Sequence, residues 1–192
     1  MSQKSFPYLK TLVGTYVLPI SVSDIKTWIR NSDADDTEVT ALIKAQVKWF
    51  ENTTDWQIFP ANYEWFTEDF PRVIPKKPVT SITEIAYRDS VTSDFVVMTE
   101  NVDYRVVQKS PSSFAIHYLN QLPMLPTTLT NTYVPDAVRI KFVAGFTIVP
   151  DDIIEAFKFR ISNAYDDRTD SPDKLQRISE SLISPYMPPP TT

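Results

Sequence analysis

The sequence predicts an α+β protein: a small helical bundle, made of two N-terminal and two C-terminal helices, with an antiparallel β domain inserted between the pairs. Three observations carry this expectation. Apolar residues recur at spacings of three and four near both ends, whereas the middle alternates with a period of two. Prolines at 71, 75, 78, 111, 123, 126 and 135 fall between the period-two segments, where a residue that cannot donate to a central ladder belongs. The expected boundaries are 1–55 for an N-terminal strand and helices of the helical domain, 56–149 for the β insertion, 150–184 for the C-terminal helices and 185–192 for a Pro-rich tail.

Each element has a local reason. Ser21 or Ser23 caps a short helix running to about Arg30, because Val22, Ile25, Trp28 and Ile29 share one face. After Asp33, Asp35 and Asp36, carboxylates suited to the positive end of a helix dipole, Val39, Leu42, Ile43, Val47 and Phe50 mark a longer helix ending near Asn52. Trp56–Phe59, Tyr63–Thr67, Val79–Tyr87, Phe95–Met98, Tyr104–Gln108, Phe114–Tyr118 and Val138–Ala144 are short, rich in β-branched and aromatic residues, and read as strands. Helical spacing returns after Pro150 with Ile154, Phe157, Ile161, Ala164 and Tyr165. Ser171 and Pro172 open a last helix through Leu175, Ile178, Leu182 and Ile183, which Pro185 stops; Met187 and the prolines after it form an extended tail.

Composition narrows the function. The 192 residues carry 19 Lys+Arg against 24 Asp+Glu, a net charge of −5, which excludes a basic nucleic-acid glove. Gly 2 and Pro 16 invert the usual balance of about 13 and about 10 for this length, so glycine-built phosphate loops are almost excluded. With Cys 0 and His 1 there is no disulfide framework, thiolate zinc site, cysteine nucleophile or multi-histidine metal site. Lys4 and Lys10 ahead of Leu12–Ile20 imitate a signal peptide, but Gly14, Thr15 and Pro19 interrupt the stretch, and it is far below the ~20 apolar residues of a membrane span. Synthesis in a cytoplasm and no membrane partner are expected.

Candidate chemistry gives way to plainer readings. Asp33, Asp35, Asp36 and Glu38 resemble a cation cluster but lack the glycine and distal glutamate of a calcium loop, so helix capping is favoured and no metal or cofactor is expected. Trp49, Phe50, Trp56, Phe59, Tyr63, Trp65, Phe66 and Phe70 are dense enough to stack bases or sugars. The charges among them are Glu51, Asp55, Glu64, Glu68 and Asp69, which have the wrong sign for nucleic acid. A β core or subunit interface is favoured over a carbohydrate platform. Glu64, Glu68 and Asp69 include enough carboxylates for a glycosidase, but exposed acids on a β edge are the favoured explanation. His117 has no nucleophile motif near it, and Arg72, Lys76 and Lys77 make a basic loop read as solvated rather than as an acidic-partner contact.

Several stretches resemble the head-tail connector, or adaptor, proteins of tailed double-stranded DNA phages and gene transfer agents. Leu18-Pro-Ile-Ser-Val-Ser-Asp-Ile-Lys-Thr-Trp-Ile-Arg30 is similar to the family's opening of Pro, an apolar residue, Ser and a helix ending in Leu/Ile-Arg. Pro78-Val-Thr-Ser-Ile82 resembles its Pro-Val-x-Ser-Ile strand, and Val138-Arg-Ile-Lys-Phe-Val-Ala-Gly-Phe146 with Pro150 its Val-Arg-Val-x-Tyr-x-Ala-Gly-Tyr…Pro segment. Tyr165 and Arg168 stand at its Tyr-x-x-Arg helix end, and Leu182-Ile-Ser-Pro-Tyr186 resembles its terminal Leu-Leu-x-Pro-Tyr-Arg, with Met187 in place of the Arg. No motif aligns between Ser90 and Pro135.

The resemblance implies a non-enzymatic part of the virion neck. Its subunits form a closed, dodecameric homo-oligomeric ring beneath the portal protein, the free subunit being a monomer, and the ring presents a surface to the next neck or tail-completion component. Genomic DNA then passes through without specific binding, as suits a chain with no basic excess. Leu182, Ile183, Pro185, Tyr186 and Met187, apolar anchors beside a stiff proline tail, are the expected portal interface. The alternative is an aromatic-rich carbohydrate-binding or tail-associated receptor module.

Overall fold

The computed structural model describes residues 8–12, 17–110, 113–120, 122, 134–165 and 172–188. The chain is α+β, with four α-helices and two antiparallel sheets among these residues. It divides into two compact units, one formed by Met1–Thr15 with Phe59–Gly145 and the other by Tyr16–Ile58 with Phe146–Thr192.

The β unit contains β1 (Tyr8–Leu12), β2 (Ala61–Thr67), β3 (Val79–Tyr87), β4 (Val96–Val97), β5 (Tyr104–Ser110), β6 (Ser113–Tyr118) and β7 (Val138–Ala144). Five strands form one sheet in the order β1-β2-β7-β3-β4, and β5 with β6 makes a separate hairpin. Alternation explains the layering: along β7, Val138, Ile140, Phe142 and Ala144 are buried while Arg139, Lys141 and Val143 point to the other face. Ile140 lies opposite Trp65 on one side and Ile85 on the other, and the Tyr63 ring stacks 5.3 Å from Phe142. Tyr104 and Ile116 of the hairpin join this core with Ile74 and Met98. Burying each large apolar side chain here contributes about 1.5–3 kcal/mol.

One glycine is indispensable. Gly145 follows β7 with φ +133°, its N–H donates to the Pro78 carbonyl at 2.9 Å, and a Cβ there would sit 2.1 Å from the Phe59 carbonyl oxygen.

The helical unit contains α1 (Val22–Trp28), α2 (Asp36–Thr54), α3 (Asp151–Tyr165) and α4 (Pro172–Ile183), which runs into a 3₁₀ turn at Ser184–Tyr186. Ser21 caps α1 by accepting from the Asp24 N–H at 3.0 Å, and Asp35 caps α2 by accepting from the Thr37 N–H at 2.7 Å. Ile25, Val39, Ile43, Val47, Phe50, Ile153, Phe157, Ile161 and Ile183 are buried as its core. Ser179, also buried, satisfies its hydroxyl by donating to the Gln176 carbonyl at 2.7 Å.

The structure departs from the sequence expectation in four places. Tyr8–Leu12, grouped above with the helical domain, is the edge strand of the β unit, with Lys10 opposite Glu64 in β2. Trp56–Phe59 forms no strand, because Asp55 closes α2 in the left-handed conformation at φ +61° and Pro60 follows at once. α1 stops two residues early, where Arg30 also takes a positive φ of 54°. α2 runs two residues longer than expected, to Thr54, where the Asp55 N–H still donates to the Glu51 carbonyl at 3.2 Å.

Candidate functional site

The C-terminal segment is built into the helical unit. Ile183 ends α4 at 1% exposure, while Leu182 and Tyr186 are half-buried and Pro185 and Met187 are exposed. Proline in the 3₁₀ turn blocks further α-helix and folds Tyr186 back onto its own unit. Its ring meets Trp56 at 5.0 Å and Phe50 at 5.8 Å, edge to face, and lies 6.2 Å from Phe146, which itself stacks on Trp56 at 5.5 Å. The Tyr186 hydroxyl donates to the Asp152 carboxylate, 3.0 Å from each oxygen. Burial, then the bond to Asp152 and its charge, push the phenol up to about 12, so it stays a donor at neutral pH. Two of the five expected anchor residues, Ile183 and Tyr186, thus make intramolecular contacts, and residues 189–192 of the tail lie outside the described residues.

At the other end of the motif set, Tyr165 closes α3 and its hydroxyl accepts from the Asn31 amide at 2.8 Å. Arg168, its expected companion, lies outside the described residues. Beside them, Arg160 stacks its guanidinium 3.7 Å over Trp49 and donates to the buried Gln46 at 2.9 Å.

The outward face of the main sheet carries a charge ladder. Lys10 pairs with Glu64 at 3.6 Å, and Glu84 accepts from Arg139 at 2.7 Å and from Lys141 at 3.1 Å. Burial alone would raise the Glu84 carboxyl, but the bonds from Lys141 and Arg139 outweigh it and hold the group below the usual carboxylate range. Arg139 and Arg88 flank the Phe95 ring at 4.3 and 4.9 Å, and Arg88 also pairs with Asp136. Tyr8 stacks on Phe66 at 4.6 Å. This pairing of cation and aromatic was hidden in the sequence because Arg139 lies in β7 while Arg88 follows β3 and Phe95 precedes β4.

The remaining candidates scatter. Glu64 sits in the ladder, whereas Glu68 and Asp69 are exposed beyond the end of β2. Of the aromatic-dense stretch, Phe50, Tyr63 and Trp65 are in the two cores and Trp56 is in the Tyr186 cluster. Asp35 is a helix cap and Asp36 pairs with Lys26. Among the described residues no three His, Asp or Glu side chains gather as a metal site, and no helix is long and apolar enough to cross a membrane. His117 is exposed on β6, opposite Arg105. Arg72 is exposed near it, and the two side chains line one open cavity, while Lys76 and Lys77 stay in the loop before β3.

No family model matches the chain, and no curated protein matches it in sequence. Solved structures do match. A chain of the neck of an empty gene transfer agent (GTA) particle, computed with C6 symmetry, superposes with TM-score 0.71 at 18% identity, over 96% of this chain and 97% of that one. The chain has the fold of a particle-neck protein. The neck fold recurs in the virion of a native GTA particle at TM-score 0.69 and 18% identity, and in the neck of a native particle computed with C12 symmetry at 0.69 and 17%, with the same coverage. The likeness spans both units.

Proposed function

We propose that this chain is a structural subunit of a virion neck, the head-tail adaptor of a tailed DNA phage or gene transfer agent. The single observation that supports it most is the fold shared over nearly the whole length of both chains with neck components of GTA particles. In this reading the protein is made in the host cytoplasm and resides in the virion. Twelve copies close a ring beneath the portal, matching the twelve-fold symmetry of one neighbouring neck, and the next neck or tail component docks below. The chain works by fitting against symmetric partners and catalyses nothing. Two unlike units supply the two different faces that a heterologous ring requires. A chain with net charge −5 makes few phosphate contacts, so DNA slides through the ring.

The C-terminal segment supplies the portal contact. Leu182, Pro185 and Met187 offer the apolar surface, and Ile183 and Tyr186 hold that surface in place. Particles produced without this chain test the function: heads that fail to join tails and lose their genome are expected. Sealed, filled and tailed particles would refute it.

A further inference from the structure

The β5–β6 hairpin carries two cationic side chains, Arg105 and Lys109, and the histidine His117 on its outward surface. In β5, Arg105 and Val107 alternate with Tyr104 and Val106, and the register sets Arg105 opposite His117 and Val107 opposite Ala115; Lys109 stands at the register shift between Gln108 and Ser110. Tyr104 and Ile116 enter the core, so Arg105 and His117 turn outward, and both are exposed, as is Lys109. Arg72 joins them because Val73 bridges to Ala115 and the Arg72 carbonyl accepts from the Ile116 N–H at 3.2 Å. Arg72, Lys109 and His117 line an open cavity of about 480 Å³ with Val73 and Leu122, and among the described residues no carboxylate lines it. Among the described residues, none of Arg72, Arg105 and Lys109 has a carboxylate partner.

Charge is unevenly divided along the chain. The β unit holds 10 Lys+Arg and 9 Asp+Glu, net +1, while the helical unit holds 9 and 15, net −6. The densest acidic stretch, Asp33, Asp35, Asp36 and Glu38 at the start of α2, is exposed. Val73, at 62% exposure, and Leu122 add apolar surface to the basic face. Duplex DNA rewards cations and offers little to apolar side chains, whereas a protein surface takes both.

We propose that this hairpin face receives the acidic helical unit of a second copy, chiefly at the start of α2. The proposal rests on the ring-forming reading above and adds which faces meet. Different patches on the two partners make the contact heterologous, so repetition by rotation closes a ring. Exposed ion pairs contribute little affinity each, and their role here is register and partner choice, with strong salt dependence.

Zero-length carbodiimide coupling on a mixture of nitrogen-14 and nitrogen-15 full-length protein tests this, because it joins lysine to carboxylate and isotope mixing marks links between copies. Mixed-isotope peptides joining Lys109 to Asp33, Asp36 or Glu38 are expected. Their yield falls about tenfold in Arg72→Glu/Arg105→Glu, which keeps Lys109 as reporter and alters only exposed residues, and the Lys109–Asp36 link returns when Asp33→Lys/Glu38→Lys protein, which keeps Asp36, is mixed in. Rings seen by electron microscopy without Lys109 links to the helical unit overturn this inference and leave the ring reading intact. A chain that stays monomeric even with its portal overturns both. Retardation of a 30-base-pair duplex by the native chain, lost in Arg72→Glu/Arg105→Glu, assigns the face to DNA and also overturns the inference.

Discussion

Tyr186 offers the sharpest test of how the C-terminal segment is held. Tyr186→Phe removes only the hydroxyl that donates to Asp152 at 3.0 Å. A hydrogen bond to a charged acceptor contributes about 1.5–3 kcal/mol, and the half-exposed position brings this to about 1 kcal/mol. Tyr186→Ala also removes the ring packed on Phe50, Trp56 and Phe146. Full aromatic truncation in a core costs about 3–5 kcal/mol, so about 3 kcal/mol is expected at this partly buried site. Urea unfolding followed by tryptophan fluorescence reads the helical unit directly in a Trp65→Phe background, since Trp28, Trp49 and Trp56 all lie there. The pH dependence supplies a second readout. With the phenol raised to about 12, the folded chain keeps a proton that the unfolded chain releases from about pH 10 upward. This stabilisation is complete below pH 10 and is lost as pH rises through 12; Tyr186→Phe should lack that decline. A Tyr186→Ala protein within 0.5 kcal/mol of the native one, or identical alkaline slopes for native and Phe proteins, would refute the reasoning.

Gly145→Ala places a methyl group 2.1 Å from the Phe59 carbonyl at a φ of +133°, so a loss of about 3 kcal/mol or more is expected in unfolding of the β unit read by Trp65. Glu84→Gln should cost about 1 kcal/mol at pH 7, since the sheet face is only partly buried. Because the native carboxyl is held low, its contribution is present above the ordinary carboxylate range and is lost as pH falls through the lowered value; the Gln protein should show a flatter acid limb in the same assay. A chain ending at Tyr186 keeps Ile183 and the Asp152 bond, so circular dichroism should match the full chain while binding to the portal ring drops.

Much of the fold is legible locally. Period two located β2, β3 and β7 because each buries one face, and the acids before Val39 and Ser21 before Val22 marked helix starts through the donors they satisfy. Tyr8–Leu12 was not legible as part of the β unit, since an edge strand is defined by its partner, here β2, more than fifty residues away. The Tyr186–Asp152 bond was hidden for the same reason: nothing in Pro185-Tyr186 names a carboxylate at the start of α3. The basic hairpin face was not readable from alternation alone, because the register shifts between Gln108 and Ser110, at Lys109; pairing of Arg105 with His117 needed the register, and Arg72 needed the Val73–Ala115 bridge.

Imaging the purified chain with its portal by electron microscopy tests the central claim most directly. The expected result is a closed ring coaxial with the portal, each subunit touching two neighbours through different faces. Subunits scattered on the portal without lateral contact, or no binding at all, would contradict the account.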